Sequence, residues 1–223
     1  MKPLNKLEEL QLSDGCVWEL WERDGSLSLL RDGLPVADSH ARGSEETMAQ
    51  LAVSPIARAG KPCVMLAGAC LGYGLAAAMA TLPRSKARFI VAEPTPEIIA
   101  WNKTHGENPE IWKDERVEIA PATAAELCRL RTGSLHAIIM RHTHARCEMS
   151  LADAQAYFNA LKGGSLLAIL VDTADRRLKS TLMRAGFDVS VSGVPISHKG
   201  KQKRMHSLVL ARRGRFIPFA ERR

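Results

Sequence analysis

The stretch that most limits the fold runs from Lys61 to Glu93, KPCVMLAGACLGYGLAAAMATLPRSKARFIVAE. Cys63-Val64-Met65-Leu66-Ala67 is a short, unbroken apolar run. That is the form of a strand buried on both faces of a parallel sheet. Gly68, Gly72 and Gly74 interrupt it. Leu75 to Leu82 is rich in alanine and leucine, which are strong helix formers, and Pro83 closes the helix. Arg88 to Ala92 is a second apolar strand, with Glu93 at its C-terminal end. A glycine-rich turn alone is weak evidence. This one follows a strand, opens a helix and has an acid about 20 residues on, the pattern of a nucleotide-binding βαβ unit. Glycines let the backbone approach a ligand where a Cβ would clash, and the helix start offers unpaired N–H groups. A carboxylate at the neighbouring strand tip can accept both hydroxyls of a ribose. The competing reading, a tight turn beside a solvated glutamate, explains the spacing less well.

The remaining chain alternates strands and helices. Residues 16–21 and 26–31 are apolar clusters around Arg23-Asp24-Gly25, a hairpin signal, and Asp32-Gly33 marks a second turn. A small antiparallel meander is expected over 16–42, with Trp18 and Trp21 packed under it, forming an N-terminal unit over 1–43. Ser44 of SEETMAQLA is placed to N-cap a helix with Glu45 and Glu46 in its first turn. Thr95-Pro96-Glu97 supplies a cap, an N1 proline and a first-turn acid for the next helix. Strands follow at 116–119 and 135–140, with a short helix over 122–131 between them. Ser150 to Asp153 resembles a capping box for a helix to Lys162. Gly163-Gly164 turns into the strand SLLAILV, and a helix over 173–185 stops at Gly186. FDVSVSG and HSLVLAR alternate as an antiparallel pair at a sheet edge. The expected fold is α/β: a Rossmann-like, mostly parallel sheet with a terminal antiparallel hairpin over 44–215, then a basic tail over 216–223.

Composition narrows the setting. Hydrophobic content of 46% and charged content of 25% suit a globular chain with a real core. No apolar run approaches the roughly 18 residues that span a bilayer. MKPLNKLEEL carries acids and no apolar h-region, so no secretory leader is expected. The cysteines (16, 63, 70, 128 and 147) are odd in number and scattered, which implies a reducing cytoplasm rather than a disulfide framework. The net charge of +7 belongs to the last third, where residues 151–223 hold 14 Lys/Arg against 5 Asp/Glu. Such clustering can form a nucleic-acid footprint. Few aromatic residues lie among these charges to stack bases, only Phe216 and Phe219 in the tail, which favours a solvated basic loop and tail.

Five parallel strands finished by a hairpin resemble the class I S-adenosylmethionine-dependent methyltransferases. With a β meander in front, the layout is similar to that of spermidine synthases, and the chain resembles the short spermidine-synthase-like proteins of bacteria over nearly its whole length. The matching pieces are the Asp-Gly meander, RGSEETMAQLA, VMLAGACLGYGL, IVAEPTPEIIAW, RVEIAPATAAEL, LHAIIM, KGGSLLAIL and RAGFDV. The resemblance implies that Gly68, Cys70, Gly72 and Tyr73 hold the methionine part of a nucleoside thioether, and that Glu93, with Pro94 beside it, holds the ribose. The ligand implied is S-adenosylmethionine, decarboxylated S-adenosylmethionine or methylthioadenosine, and a homodimer is expected. Cys70 stands where the family has glycine and reads as a small replacement, since no basic partner that would activate a thiolate lies nearby in sequence.

Two departures are acidic. Thr123 takes the place of an aspartate that reads the adenine amino group. Arg141 takes the place of the aspartate that accepts a proton from the attacking amine, and Thr143 that of a second acid. An arginine repels a polyamine and cannot act as a base, so spermidine synthesis itself is not expected. The RHTHARC segment that replaces these acids offers Arg141, His142 and His144 as candidate catalytic residues. His142 and His144 share one face of an extended chain, where a histidine could do acid–base chemistry. Both imidazoles with Cys147 could bind a metal, though HxH alone is a weak ligand signal and no metal site is assigned. Arg141 and Arg146 could instead receive a carboxylate or phosphate. Three functions are thus open: an S-adenosylmethionine-type transferase, a non-catalytic binding module with an eroded nucleoside site, or an RNA-modifying methyltransferase.

Overall fold

A computed structural model describes residues 3–83, 86–142, 149–173, 176–197 and 204–214. The N-terminal sheet is a four-stranded antiparallel meander in chain order: β1 (Asn5–Gln11), β2 (Val17–Arg23), β3 (Ser26–Arg31) and β4 (Leu34–Asp38). The two Asp-Gly turns close its last two hairpins, with Asp24 and Asp32 both at φ 52 and Gly25 and Gly33 at 80 and 73. Such paired left-handed residues match the twist of the strands they join. Strand β1 was not expected, because NKLEELQ presents mostly charge to solvent and only its pairing with β2 shows it to be a strand. The two tryptophans divide. Trp18 shares the inner face with buried Leu20, whereas Trp21 projects to the other face beneath the Lys6 ammonium.

The second sheet has seven strands in the order β10-β11-β9-β8-β5-β6-β7. These are β5 (Cys63–Ala67), β6 (Arg88–Ala92), β7 (Val117–Ala120), β8 (Leu135–Arg141), β9 (Leu161–Val171), β10 (Phe187–Pro195) and β11 (Met205–Arg213). Strands β5 to β9 are parallel, and β11 runs antiparallel between β9 and the edge strand β10. The fold is therefore Rossmann-like with a terminal hairpin and a preceding meander. Helices α1 (Arg42–Val53), α2 (Tyr73–Thr81), α3 (Pro96–His105), α4 (Ala124–Arg129), α5 (Leu151–Ala160) and α6 (Arg176–Arg184) connect and cover the strands. One apolar layer joins Val64 and Leu66 of β5 to Leu20 and Leu29 of the meander, and the other packs Met65 against Ala154 and Tyr157. Among the described residues no helix is long and apolar enough to cross a membrane, and the four described cysteines are free.

Three local expectations change. Helix α1 starts two residues before Ser44 with Ala41 at its N-cap, so Ser44 is a buried first-turn residue instead of a cap. Its hydroxyl donates to the Ala41 carbonyl or meets His206 Nδ1, each at 2.9 Å. Thr95 caps α3 without a side-chain hydrogen bond. Gly163 and Gly164 lie inside β9, where the register against β8 shifts, so they mark a bulge and not a turn before the strand.

Gly106 ends α3 where an added Cβ would lie 2.4 Å from the Asn102 carbonyl oxygen. Gly106→Ala is expected to lower stability by about 1–3 kcal/mol in urea denaturation. A wild-type midpoint would show that this helix end yields without cost.

Candidate functional site

Parallel strands present their C-terminal ends along one edge, about 4.8 Å apart. The order of the sheet arrays the candidate residues along that edge. Thr123 follows β7, Glu93 follows β6, Gly68 follows β5, Arg141 ends β8 and Asp172 follows β9. A cavity of about 570 Å³ is lined by Thr123, Glu93, Gly68 and Arg141, and Trp18, Leu29 and Val36 of the meander contribute to its wall. Its size is that of a small-molecule site.

Glu93 is 5% exposed at the cavity wall. Its Oε2 accepts the Ala69 N–H at 2.9 Å and its Oε1 accepts the Thr95 N–H at 3.0 Å. Burial raises its pKa, while those two hydrogen bonds and the Arg31 guanidinium oppose the rise. Each oxygen keeps a further lone pair for a ligand hydroxyl. The carboxylate thus both braces the glycine turn and is able to hold a ribose.

The turn itself is left-handed at Gly68 (φ 94) and at Cys70 (φ 48). A Cβ on Gly68 would make only ordinary contact with Glu93 Oε2 at 3.9 Å, so the glycine is required for its φ rather than for space. Cys70 occupies a conformation that costs a non-glycine residue about 1 kcal/mol or more. Asn102 offsets part of this, its Nδ2 donating to the Cys70 carbonyl at 2.9 Å and to the Ile98 carbonyl at 2.8 Å. Burial pushes the Cys70 thiol well above its ordinary range, so it stays protonated and is a poor nucleophile. Nothing in the pattern WNKTH marked Asn102 as the staple of the turn.

Gly72 and Tyr73 do not line this cavity, in contrast to the expectation from the motif. A Cβ on Gly72 (φ 80) would sit 3.1 Å from Trp112 and 3.3 Å from Ile111, so its role is close packing under the start of α2. Tyr73 is 3% exposed, and its hydroxyl donates to Glu107 at 2.7 Å and accepts from Ser39 at 2.8 Å. It secures the seam below the meander. Tyr73→Phe is expected to cost about 1 kcal/mol of stability while changing the affinity of a ligand taken up in the cavity less than about twofold. A large affinity loss in a titration would return Tyr73 to the site.

Thr123 and Pro94 line the cavity. The Thr123 hydroxyl is already committed to a capping box at α4, donating to Glu126 Oε2 at 2.7 Å and accepting the Glu126 N–H at 3.3 Å. Asp153, also at the wall, binds Arg129 at 2.5 Å. Among the described residues, each carboxylate of the lining is therefore engaged: Glu93 by backbone, Glu126 by Thr123 and Asp153 by Arg129.

Arg141 lines the cavity with a side chain 9% exposed. Its Nη2 donates to Asp172 Oδ1 at 2.8 Å, and its Nη1 donates to His206 Nδ1 at 3.1 Å. Because Nδ1 accepts, the His206 proton is assigned to Nε2, which lies 3.4 Å from Asp172 Oδ1. Burial, then the nearby Arg141 charge, pushes His206 down to about 4, so the ring is neutral near pH 7. Glu45, 3% exposed, is pushed up to about 7 by burial, with Arg141 opposing. His142 lines the cavity and its backbone N–H donates to the Leu170 carbonyl at 2.9 Å. His144, Arg146 and Cys147, and with them the metal reading of RHTHARC, lie outside the described residues. Glu45, Asp172 and His206 were missed from the sequence, where they carry no shared spacing; the acids of SEE read as first-turn acids of a helix.

No protein-family profile matches the sequence, and no curated protein does. Solved structures do match by shape. A spermidine synthase from Thermotoga maritima aligns with a TM-score of 0.73 at 18% identity over 94% of this chain and 73% of that one. A spermidine synthase in complex with the transition-state analogue AdoDATO gives 0.76 at 18% identity over 96% and 75%. An S-adenosylmethionine-dependent O-methyltransferase from Thermotoga maritima gives 0.55 at 14% identity over 75% and 66%. At these identities the likeness establishes the fold.

Proposed function

We propose that the cavity binds a nucleoside thioether of the S-adenosylmethionine type and that the protein is a transferase-like member of this fold. The observation that carries the reading is the array at the sheet edge: a braced, buried Glu93 beside a left-handed Gly68, both opening on one 570 Å³ cavity. In this arrangement Glu93 accepts the ribose hydroxyls, the Gly68–Cys70 backbone passes close to the thioether arm, and Trp18, Leu29 and Val36 exclude water from above. A sulfonium donor is chemically activated before it binds, so the residues of this chain have to align the acceptor more than transform it. Arg141 stands where an amine-deprotonating acid would be needed, which argues against a polyamine acceptor.

A non-catalytic nucleoside-binding module is the second reading. It is favoured by the engagement of Glu93, Glu126 and Asp153, which leaves none of these three poised as a general base.

Thermal unfolding with added ligand tests binding. At a ligand concentration about a hundred times Kd, methylthioadenosine or S-adenosylmethionine is expected to stabilise the protein by about 2.7 kcal/mol, a rise of roughly 5–10 °C in Tm for this chain length. An unmoved transition with both ligands at millimolar concentration would rule out the nucleoside site.

A further inference from the structure

We infer that Arg141 makes this site select a nucleoside whose sulfur arm ends in a carboxylate, S-adenosylmethionine itself, over the decarboxylated counterpart that ends in a bare ammonium. The inference rests on the nucleoside reading above and deepens it.

Sheet order sets the direction of the ligand. With the ribose on Glu93 at the end of β6 and the base toward Thr123 beyond β7, the arm on sulfur must run the other way, past Gly68 of β5 toward β8. The two strand spacings from β6 to β8 are about 10 Å, a distance that the ligand arm and an arginine side chain cover together. Arg141 is what the arm meets there. Its side chain is nine-tenths buried and forms part of the cavity wall. Its Nε–H is fully enclosed, so an arriving carboxylate meets the guanidinium through the Nη hydrogens not used by Asp172 and His206, and a carboxylate is the partner whose geometry suits that group.

The surrounding groups hold this guanidinium in place. Asp172 and His206 fix Nη2 and Nη1, and Glu45 lies close enough for its charge to interact with Arg141. The bare aminopropyl arm brings a second cation to this position with no anion to accompany it. The full methionyl arm brings a carboxylate beside its ammonium. The first is opposed by Arg141 and the second is received by it.

The test is isothermal titration of the full chain with methylthioadenosine, S-adenosylmethionine and decarboxylated S-adenosylmethionine, repeated on Arg141→Met. Methylthioadenosine has no charged arm and reports the nucleoside site alone. Wild type is expected to bind S-adenosylmethionine about tenfold or more tighter than the decarboxylated ligand, the factor that about 1.4 kcal/mol corresponds to. In Arg141→Met that preference is expected to vanish while methylthioadenosine affinity holds within about threefold. Equal affinities in wild type, or a preference for the decarboxylated ligand, would overturn the inference while methylthioadenosine binding left the nucleoside site standing. A preference that survives in Arg141→Met would also overturn it. Should Arg141→Met not fold, Arg141→Gln, which also removes the charge, carries the same comparison. No binding of any of the three would remove the nucleoside reading and this inference together.

Discussion

Glu93→Ala is expected to weaken nucleoside binding by about a hundredfold or more and to lower folding stability by about 3 kcal/mol. The binding loss follows from two hydroxyl–carboxylate hydrogen bonds, each of the stronger charge-assisted kind; together they exceed the roughly 2.7 kcal/mol that a hundredfold represents. The stability loss has a separate origin. Ala69 N–H and Thr95 N–H would be left without their carboxylate acceptor, at about 1–3 kcal/mol each. Relief of a buried carboxylate, whose pKa burial raises, offsets part of that cost. Glu93→Gln impairs both roles less than alanine does, because an amide keeps one acceptor oxygen and sets a donor against the other N–H. Urea denaturation and ligand titration on both variants measure the two effects. Stability that falls while affinity holds would make Glu93 only a brace for the turn.

Glu45→Gln is expected to stabilise the protein at pH 8, by on the order of 2 kcal/mol, and to have little effect near pH 5. Glu45 rises from its ordinary 4.5 to about 7 in the fold, mainly through burial. The folded state therefore keeps a proton that the unfolded chain releases. The stability this residue allows is present in full below pH 4.5, declines as pH rises toward 7, and is gone above it. The value of about 7 already includes the attraction to Arg141, and glutamine stands in for the protonated acid, so the gain reflects this net shift. His206 acts in the opposite sense. Its pKa falls from 6.5 to about 4, so its contribution is present above pH 6.5 and is lost as pH drops toward 4. In wild type the two opposed slopes overlap between about pH 4.5 and 6.5 and flatten the profile. In Glu45→Gln the His206 slope is no longer offset by Glu45, and stability should climb with pH across that window more than it does in wild type. Chemical denaturation at several pH values reads this directly. A variant less stable than wild type at pH 8 would mean that the pairing of the Glu45 carboxylate with Arg141 outweighs the cost of its burial.

The scaffold was legible where one face or both faces of an element are buried. CVMLA, RFIVA and LHAIIM are uninterrupted apolar runs, and each is a strand within one residue of its expected bounds. β1 was not legible, because an edge strand with charged exposed faces looks like any polar segment. The glycine turn shows a finer limit. Spacing identifies a strand–turn–helix unit, yet it cannot tell a glycine that faces a cavity from one that packs on Trp112, so Gly68 and Gly72 looked alike. The polar cluster behind Arg141 was invisible for a different reason. Ser44 and His206 are 162 residues apart, and only closure of the sheet brings α1, β8 and β11 to one place. Glu45 looked like an ordinary first-turn acid until the packing of α1 on β8 and β9 buried it. Arg141 itself was legible as an anomaly, a cation at the end of an apolar strand, and its partners explain how the fold accommodates it.

The most direct test of the central claim is calorimetric titration of the wild-type chain with methylthioadenosine. Saturable binding of one nucleoside per chain, weakened in Glu93→Gln, is the result predicted. A chain that folds normally but takes up no methylthioadenosine at millimolar concentration would contradict the account, leaving Glu93 as a structural brace above an unrelated cavity.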